Sequence, residues 1–449
     1  MPDTTLLQQP SGPPRPELVR AIGRWSMVAL MVNSVLGSGI FGLPSAIAAA
    51  LGNSSPWAVL LAGAAMAVII SCYAEVASQF TEAGGTYLYV RRAFGRFAGL
   101  QVGWLSLLSR LTACAGGVNL LVVYLGEFWP EAVHPVPRFV VITLLLGTLA
   151  VVNYRGVGAG AAVSNVSVVA KLLALGIVGG VGLCYLATHP TVRSAAPVAD
   201  LDGWLKAILL LFFAYGGYEA ALNPMSEARD PRRNAVFALF VGLSIVTLLY
   251  TMLQFTVVGV LPDAAHSDRP LADAARVLMG HSGAVLISAG ALISVYGYLS
   301  ANMLTVPRST FALAEVGDFP ARFAAVHPRF RTPHVSIAVF ALLIWIFALF
   351  GSFSWNITLS AVARLVYYGA VCAAVPVLRR RQPEAATFRV PGGMILPALG
   401  IMICVALLTR VDFTKSLILL ATIAVALLNW LVVRNRARIM AAPADVHGR

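Results

Sequence analysis

Long apolar segments recur along almost the whole chain, and they constrain its fold more than any other feature. A helix needs about 20 largely apolar residues to cross the hydrocarbon core of a bilayer. Alternating strand patterns bounded by hairpin turns are absent from the sequence. The sequence therefore predicts an all-α integral membrane protein with about 12 transmembrane helices. The predicted spans are 27–50, 56–77, 97–125, 139–153, 161–187, 204–226, 234–261, 282–311, 335–351, 355–377, 394–410 and 412–433.

The composition excludes several other classes of protein. Of the 449 residues, 59% are hydrophobic and 11% are charged, whereas an ordinary soluble domain has about 25% charged residues. So few charges cannot cover a soluble surface, which excludes a soluble enzyme, a nucleic-acid-binding protein and a disordered protein. The five cysteines form no C-x-x-C pair, and the seven histidines lie in loops or at the ends of spans. We therefore expect neither a metal nor another cofactor.

The basic residues predict the orientation in the membrane. Most of the Lys and Arg residues outside the spans fall on the side that carries the N-terminus. Positive residues favour the cytoplasmic side, so both termini are predicted to be cytoplasmic, in the inner or plasma membrane of the cell. Segments 1–26 and 434–449 are the predicted tails. Glu75, near the end of span 2, is predicted to lie at the membrane interface.

Two predicted spans are interrupted by glycines near their centres. Span 1 contains Gly37-Ser38-Gly39 and span 6 contains Gly216-Gly217, with five spans in each half of the chain. Glycine also serves close helix packing, but interruptions at corresponding positions indicate an inverted repeat with a binding site at the midplane. The predicted organisation is one domain, 27–433, with repeats 27–187 and 204–377 and two extra helices in 394–433.

A broken helix in a membrane leaves backbone groups that a ligand can use. After the break in span 1, free N–H groups and the positive end of a helix dipole favour a carboxylate. Before the break in span 6, over residues 213–216, free carbonyl groups favour an ammonium. A carboxylate and an ammonium on neighbouring breaks match the main-chain end of an amino acid.

Five motifs, in order along the chain, resemble those of the amino acid–polyamine–organocation (APC) permeases. The resemblance covers nearly all predicted spans. It implies a LeuT-like fold, in which a five-plus-five inverted repeat with discontinuous helices 1 and 6 is followed by two further helices. The motifs are Gly37–Phe41 (GSGIF), Glu82–Gly95, Phe213–Asn234, Arg308–Pro320 and Leu378–Gly393.

The resemblance also implies which residues bind the substrate. In the family, the substrate carboxylate meets amides of the span-1 break, and the ammonium meets carbonyls of both breaks. An aromatic residue at the position of Phe213 commonly gates the site. Carried over to this chain, the residues are Val35, Gly37, Ser38, Gly39, Ile40, Phe213, Ala214 and Gly216.

Two ionisable residues are candidates for coupling and gating. Lys171 lies within span 5, where a lysine is costly and indicates a function. Burial favours its uncharged form, which would let it release a proton, although a structural ion pair or a snorkelling side chain is the alternative. In proton-coupled relatives, a lysine here occupies the place of sodium. Glu219 follows the span-6 break and matches an acid that contributes to the inner gate in some relatives.

Arg110 lies at the centre of span 3, on one helix face with Cys114. It could bind an acidic side chain of a substrate, or it could pair with Glu219 and hold the bundle together. Paired charges are the usual arrangement inside membranes, which favours the pair. Arg364 in span 10 has the same ambiguity, and Asn302 in span 8 is a further pocket candidate that could equally serve helix packing.

These residues favour a secondary active transporter of amino acids, with proton coupling. The alternatives are an amino acid or amine exchanger, a sodium-coupled symporter, and a sensor that binds without transporting. An enzyme is not expected, because no nucleophile–base pair or metal cluster falls within the spans. Phe213, Tyr215 and Cys114 favour a neutral amino acid as substrate. The expected partners are the substrate, protons and the lipid bilayer.

Overall fold

The computed structural model describes residues 22–441 apart from residues 83, 157–159, 190–199, 223–224 and 384, and it describes the backbone but not the side chains of 160–170 and 435–441. The predicted tails therefore lie largely outside the described residues. Within those residues the regular structure is helical, apart from one isolated bridge between Ile22 and Ala228. The fold is all-α, as predicted.

The α-helices account for most of the described chain. They are α1 (Arg24–Val35), α2 (Gly39–Leu51), α3 (Ser55–Ala77), α4 (Gly85–Phe94), α5 (Arg96–Leu125), α6 (Pro135–Arg155), α7 (Gly160–Thr188), α8 (Leu201–Tyr215), α9 (Pro231–Val260), α10 (Pro270–Glu315), α11 (His334–Phe350), α12 (Phe353–Arg381), α13 (Ile395–Leu408) and α14 (Phe413–Ala441).

The helices have the length and composition of membrane spans. Among the described residues, nine helical segments are long and apolar enough to cross a membrane, and α11 and α13 are shorter apolar helices. Apolar side chains such as Leu144 on α6 and Leu420 on α14 are exposed on the outside of the protein, where lipid would cover them. The chain is an integral membrane protein, while the number of twelve spans and the inverted repeat stay predictions.

Helix α5 lies at the centre of the bundle and packs against α10, α11 and α12. Helix α1 packs against α9, whereas α2 packs against α8. The two parts of predicted span 1 therefore have different neighbours, and the residues between them face the interior where α5, α8 and α10 meet.

Two elements differ from the predicted spans. Helix α4 is amphipathic, with Tyr89 and Val90 buried and Arg92 exposed, so hydropathy alone does not identify it. Helix α10 starts at Pro270, well before the predicted span 282–311, and Gly280 bends it with a φ of 68°. Its first turns precede the bend and add a short helical segment to the span.

Glu75, near the end of α3, is buried within the protein, and its location at the membrane interface stays a prediction. Its side chain is fully inaccessible and forms a bidentate ion pair with Arg379, in which Nε and Nη2 each lie 2.6 Å from a carboxylate oxygen. The amide of Val390 donates a further hydrogen bond to it at 2.7 Å. Because its acceptors are satisfied in this way, the carboxylate can lie inside the protein.

Candidate functional site

The interruptions in the two glycine-containing spans lie side by side. Helix α1 ends at Val35 and α2 begins at Gly39, while α8 ends at Tyr215 and is followed by Gly216 and Gly217. A Cβ added to Gly39 would lie 3.0 Å from Cα of Ala214, so the backbones of α2 and α8 approach closely here.

Gly217 shows why glycine is required where the interruptions meet. It has a φ of 109°, and a Cβ at this position would lie 2.6 Å from the carbonyl oxygen of Ser34. Only glycine adopts this backbone conformation at little cost. Gly37 differs, because a Cβ there would meet nothing closer than a ring carbon of Tyr298 at 3.7 Å.

A cavity of about 490 Å³ lies between the interruptions and helices α5, α7, α10 and α12. Its size suits a small metabolite. The cavity extends along α1 to Leu30 and also reaches Glu227. The amide of Ile22, which lies just before α1, donates to the carbonyl of Glu227. The predicted site residues that line it are Val35, Gly37, Ser38, Gly39, Arg110, Lys171, Phe213, Ala214, Gly216 and Asn302.

Ile40 and Cys114 were predicted to bind the substrate but do not line this cavity. The side chain of Ile40 lines a separate small pocket with Val59, because it lies on the opposite face of the first turn of α2. Cys114 is fully buried behind Tyr298. Tyr215 also points away and donates to the carbonyl of Val59 at 2.9 Å. Two of the three residues that favoured a neutral substrate therefore lie outside the cavity.

The start of α2 presents unused hydrogen-bonding groups to the cavity. Ser38 is 2% exposed, and its hydroxyl has no hydrogen-bond partner among the described residues. The first amides of a helix have no acceptor within it. A carboxylate placed here would meet the amides, the hydroxyl and the positive end of the helix dipole together.

Carbonyl groups of α1 and α8 face each other across Tyr250. The Tyr250 hydroxyl lies 3.2 Å from the carbonyl oxygen of Val35 and 3.1 Å from that of Ala214. A hydroxyl has a single hydrogen and can donate to one of them at a time. The carbonyl of Val35 also accepts from the amide of Gly37 at 2.7 Å. Because each carbonyl oxygen has two lone pairs, acceptor capacity remains for an ammonium group at this point.

Lys171 caps the end of α1 with hydrogen bonds from its side chain. Its Nζ donates to the carbonyl oxygens of Asn33 at 3.0 Å and Leu36 at 2.7 Å, and its side chain is 3% exposed. No carboxylate lies within ion-pair distance of it among the described residues. A neutral amine has two N–H groups, so both hydrogen bonds can persist if the lysine releases a proton.

Glu219 pairs with Arg364 instead of Arg110, which corrects the favoured prediction. Arg364 Nη1 lies 3.7 Å from Oε1 of Glu219. The carboxylate also accepts from the hydroxyls of Tyr367 at 3.1 Å and Tyr368 at 3.3 Å, and from the amide of Gly217 at 3.0 Å. Glu219 is thus held by four groups, which fixes the position of the turn that follows α8.

Arg364 is held on several sides. Its Nε donates to the hydroxyl of Ser109 at 3.1 Å, and its guanidinium carbon lies 5.8 Å from the centre of the Phe213 ring. A Cβ on Gly216 would lie 1.7 Å from Nη1, so the guanidinium fills the space that glycine leaves. Nη1 is buried and has no hydrogen-bond partner among the described residues.

Arg110 is held more loosely. In the described part of the chain its one hydrogen bond is donated by Nη1 to Oδ1 of Asn302, at 3.4 Å. The amide nitrogen of Asn302 donates in turn to the carbonyl of Tyr298 at 2.9 Å. Arg110 also lines a smaller neighbouring cavity that Glu219 and Tyr367 share. It therefore lies between the central cavity and a second space.

Sequence reasoning missed the tyrosines of the site. Tyr250, Tyr298, Tyr367 and Tyr368 each lie inside an apolar span. The hydroxyls of Tyr250, Tyr367 and Tyr368 serve the interruptions or Glu219, and the ring of Tyr298 lies beside Gly37. A hydroxyl in the middle of a span needs a partner, which was the signal available. Across the described residues, no group of three His, Cys, Asp or Glu side chains is placed to hold a metal ion.

The amino acid permease family model matches residues 22–429, a range that contains the interruptions, the cavity and every residue of the candidate site. The chain belongs to the amino acid permease family. This confirms the resemblance to the APC superfamily on which the sequence analysis relied. Members of the permease family are transporters, and transporters are not a class of enzyme.

Three relatives each align with this permease over most of their own length and over most of this chain. The serine/threonine exchanger SteT of Bacillus subtilis is 28% identical over 398 residues, covering 86% of this chain and 89% of SteT. The methylthioribose transporter of the same organism is 28% identical over 415 residues, covering 86% and 87%. The branched-chain amino acid permease BcaP, also of Bacillus subtilis, is 26% identical over 421 residues, covering 88% and 89%. The names of these relatives differ in substrate, so family membership leaves the substrate open.

Proposed function

We propose that this permease is a secondary active transporter of amino acids. The observation that carries the proposal is the pair of helix interruptions at one cavity, with unused donors at Ser38 and acceptor capacity at Val35 and Ala214. The substrate carboxylate binds at the start of α2, and its ammonium binds the carbonyls beside Tyr250. Gly37, Gly39, Phe213 and Gly216 shape this position, and Ile40 contributes its amide.

The transport is coupled to protons through Lys171. Its two carbonyl partners belong to the end of α1, where a sodium ion would otherwise find oxygen ligands. A cation in this place repels sodium, which disfavours sodium coupling. Because both hydrogen bonds are available to the neutral amine, proton release changes the charge of the cavity without freeing the side chain.

The cavity opens toward the side on which α1 begins, while α2 is fixed. Tyr124 donates to the carbonyl of Phe41 at 2.8 Å, and Gln254 donates to that of Pro44 at 3.1 Å. With the predicted cytoplasmic termini, this arrangement corresponds to an inward-facing state. Movement of α1 relative to α2 would exchange access between the two sides of the membrane.

The proposal keeps the predicted domain organisation. Residues 27–433 form one transporter domain in the inner or plasma membrane, with repeats 27–187 and 204–377 and two further helices in 394–433. Exchange is the second candidate, because SteT is named as an exchanger and the same cavity serves either mode. In that case Lys171 keeps its position at the end of α1 but does not drive net uptake.

The test is uptake by the purified protein in proteoliposomes. A panel of labelled amino acids is offered with an inward proton gradient, with an inward sodium gradient, and with unlabelled amino acid inside. We expect uphill uptake with the proton gradient alone. Uptake that requires internal amino acid would identify an exchanger, and dependence on sodium would contradict the assignment of Lys171.

Variants separate coupling from binding. Lys171→Met removes the proton site while keeping the length of the side chain, and we expect it to abolish proton-driven accumulation. Lys206→Ala is the matched control, because Lys206 is an exposed lysine that pairs with Asp202 at the start of α8. Full proton-driven accumulation by Lys171→Met would refute proton coupling through this residue.

A further inference from the structure

The charges around the central cavity do not balance. Arg110, Lys171 and Arg364 line it, whereas Glu219 is the one carboxylate that is buried close to them in the described structure. Glu227 lines the mouth of the cavity but is exposed. The side chains of 160–170 cannot restore the balance, because that segment contains neither Asp nor Glu.

Glu219 has little acceptor capacity left for a second arginine. A carboxylate has about four lone-pair positions for hydrogen bonds. Tyr367, Tyr368 and the amide of Gly217 occupy three of them, and Arg364 lies at 3.7 Å. Arg110 is left with the oxygen of Asn302 at 3.4 Å, a distance at the long end of the range for hydrogen bonds.

The guanidinium group of Arg364 is positioned to bind a ligand in the cavity. Ser109, the Phe213 ring and Gly216 hold its guanidinium in place. Its Nη1 is buried and lies 3.7 Å from Oε1 of Glu219, too far for a hydrogen bond, so it has no hydrogen-bond partner within the described residues. A buried donor without an acceptor is costly. A folded protein can retain such a donor where a ligand supplies the missing acceptor.

We propose that Arg110 and Arg364 together bind the side-chain carboxylate of the substrate, so that the transported amino acid is acidic. This inference rests on the proposed function, because it adds a third contact to the main-chain contacts at the helix interruptions. It replaces the neutral substrate that the sequence favoured.

The chemistry of the two arginines fits a carboxylate. Guanidinium groups donate paired, charge-assisted hydrogen bonds to carboxylates. An acidic side chain would neutralise the excess positive charge and give both Arg110 and Nη1 of Arg364 an acceptor at hydrogen-bond distance. A basic side chain would be repelled, and a neutral apolar one would give neither guanidinium group a further acceptor.

The experiment compares two pairs of substrates that differ in one charged group. Uptake and binding of labelled glutamate and glutamine, and of aspartate and asparagine, are measured with the intact protein in proteoliposomes. We expect the acid to be preferred over its amide by at least about tenfold, as a charge-assisted contact implies. Leucine and lysine complete the panel and are expected to be poor substrates.

The Arg110→Gln variant tests the residue that has no carboxylate partner. We expect the preference for glutamate over glutamine to fall by about tenfold or more. A purely structural role would lower uptake of both substrates and leave their ratio unchanged. Arg308→Gln is the control, because Arg308 lies on α10 and donates to the carbonyl of Leu304 in its own helix. Its ratio is expected to match that of the unmodified protein.

Each outcome separates this inference from the proposed function. Transport of neutral amino acids, with acids excluded or with an unchanged ratio in Arg110→Gln, would overturn the acidic substrate and leave amino acid transport in place. If the folded protein neither binds nor moves any amino acid, the proposed function itself fails. Acid preference that disappears in Arg110→Gln and persists in Arg308→Gln supports both.

Discussion

The central cavity has two linings of different construction. The interruption lining consists of Val35, Gly37, Ser38, Gly39, Ala214 and Gly216, and it presents mainly backbone groups. The arginine lining consists of Arg110, Tyr298, Asn302 and Arg364, and it presents side chains from α5, α10 and α12. The first lining offers what every amino acid can use, while the second offers charge that few amino acids can match.

The difference separates two levels of recognition. Backbone amides and carbonyls are not removed by side-chain substitution, so the interruption lining offers the same groups to any amino acid. The arginine lining depends on individual side chains and on how they are paired. Glu219 holds Arg364 and leaves Arg110 without a carboxylate, so these two arginines are expected to respond differently to mutation.

The largest effect is expected when Arg364 is removed. Arg364→Gln leaves Glu219 without its cation in the interior, and we expect a loss of about 3 kcal/mol in the free energy of unfolding. The measurement is equilibrium unfolding in mixed detergent micelles. The double variant Arg364→Gln/Glu219→Gln removes both charges and should recover part of the loss. A double variant less stable than the single one would show that the pair is not what stabilises this region.

A smaller effect is expected at the contact between the interruptions. Gly217→Ala places a Cβ against the carbonyl of Ser34 and forces a φ of 109° on alanine, which costs about 2 kcal/mol. Gly37→Ala is the matched control, because its Cβ has space. Unfolding of both variants in the same micelles should show a loss in the first alone. Equal stability of the two would contradict the close approach.

The hydrogen bonds to Glu219 are expected to contribute less. Tyr368→Phe removes one hydroxyl donor from a buried carboxylate, and we expect a loss of about 1 kcal/mol. Tyr89→Phe is the control, because the buried Tyr89 hydroxyl has no partner among the described residues. Its removal should leave the unfolding free energy unchanged or raise it. A larger loss in Tyr89→Phe than in Tyr368→Phe would refute this assignment.

The smallest effect on stability is expected for Arg110. Its single long hydrogen bond to Asn302 is weak, so Arg110→Gln should change the free energy of unfolding by less than about 0.5 kcal/mol. The same unfolding measurement checks this value. A loss as large as that of Arg364→Gln would mean that Arg110 is a structural partner, and the comparison between the two arginines would fail.

The sequence predicts the interruptions but not the pairing of the charges. The glycines near residues 37–39 and 216–217 indicate helix breaks because they fall at corresponding positions in the two halves, whereas Gly116 and Gly117 lie inside the continuous helix α5. The partner of Glu219 could not be predicted, because Arg110, Lys171 and Arg364 all lie within spans and helical spacing does not determine which of them meet. Helix α4 was missed for another reason, since its amphipathic pattern lacks the hydropathy of a span.

The contact between Glu75 and Arg379 has a consequence for the order of events during synthesis of the chain. The two residues are 304 positions apart, and at a synthesis rate of about 5–20 residues per second Arg379 is added roughly 15–60 s after Glu75. Throughout that interval α3 carries a carboxylate whose partner does not yet exist. An unpaired carboxylate is costly in a protein interior, so until then it is either protonated or kept in water. The buried position of Glu75 is therefore reached only when α12 has been made.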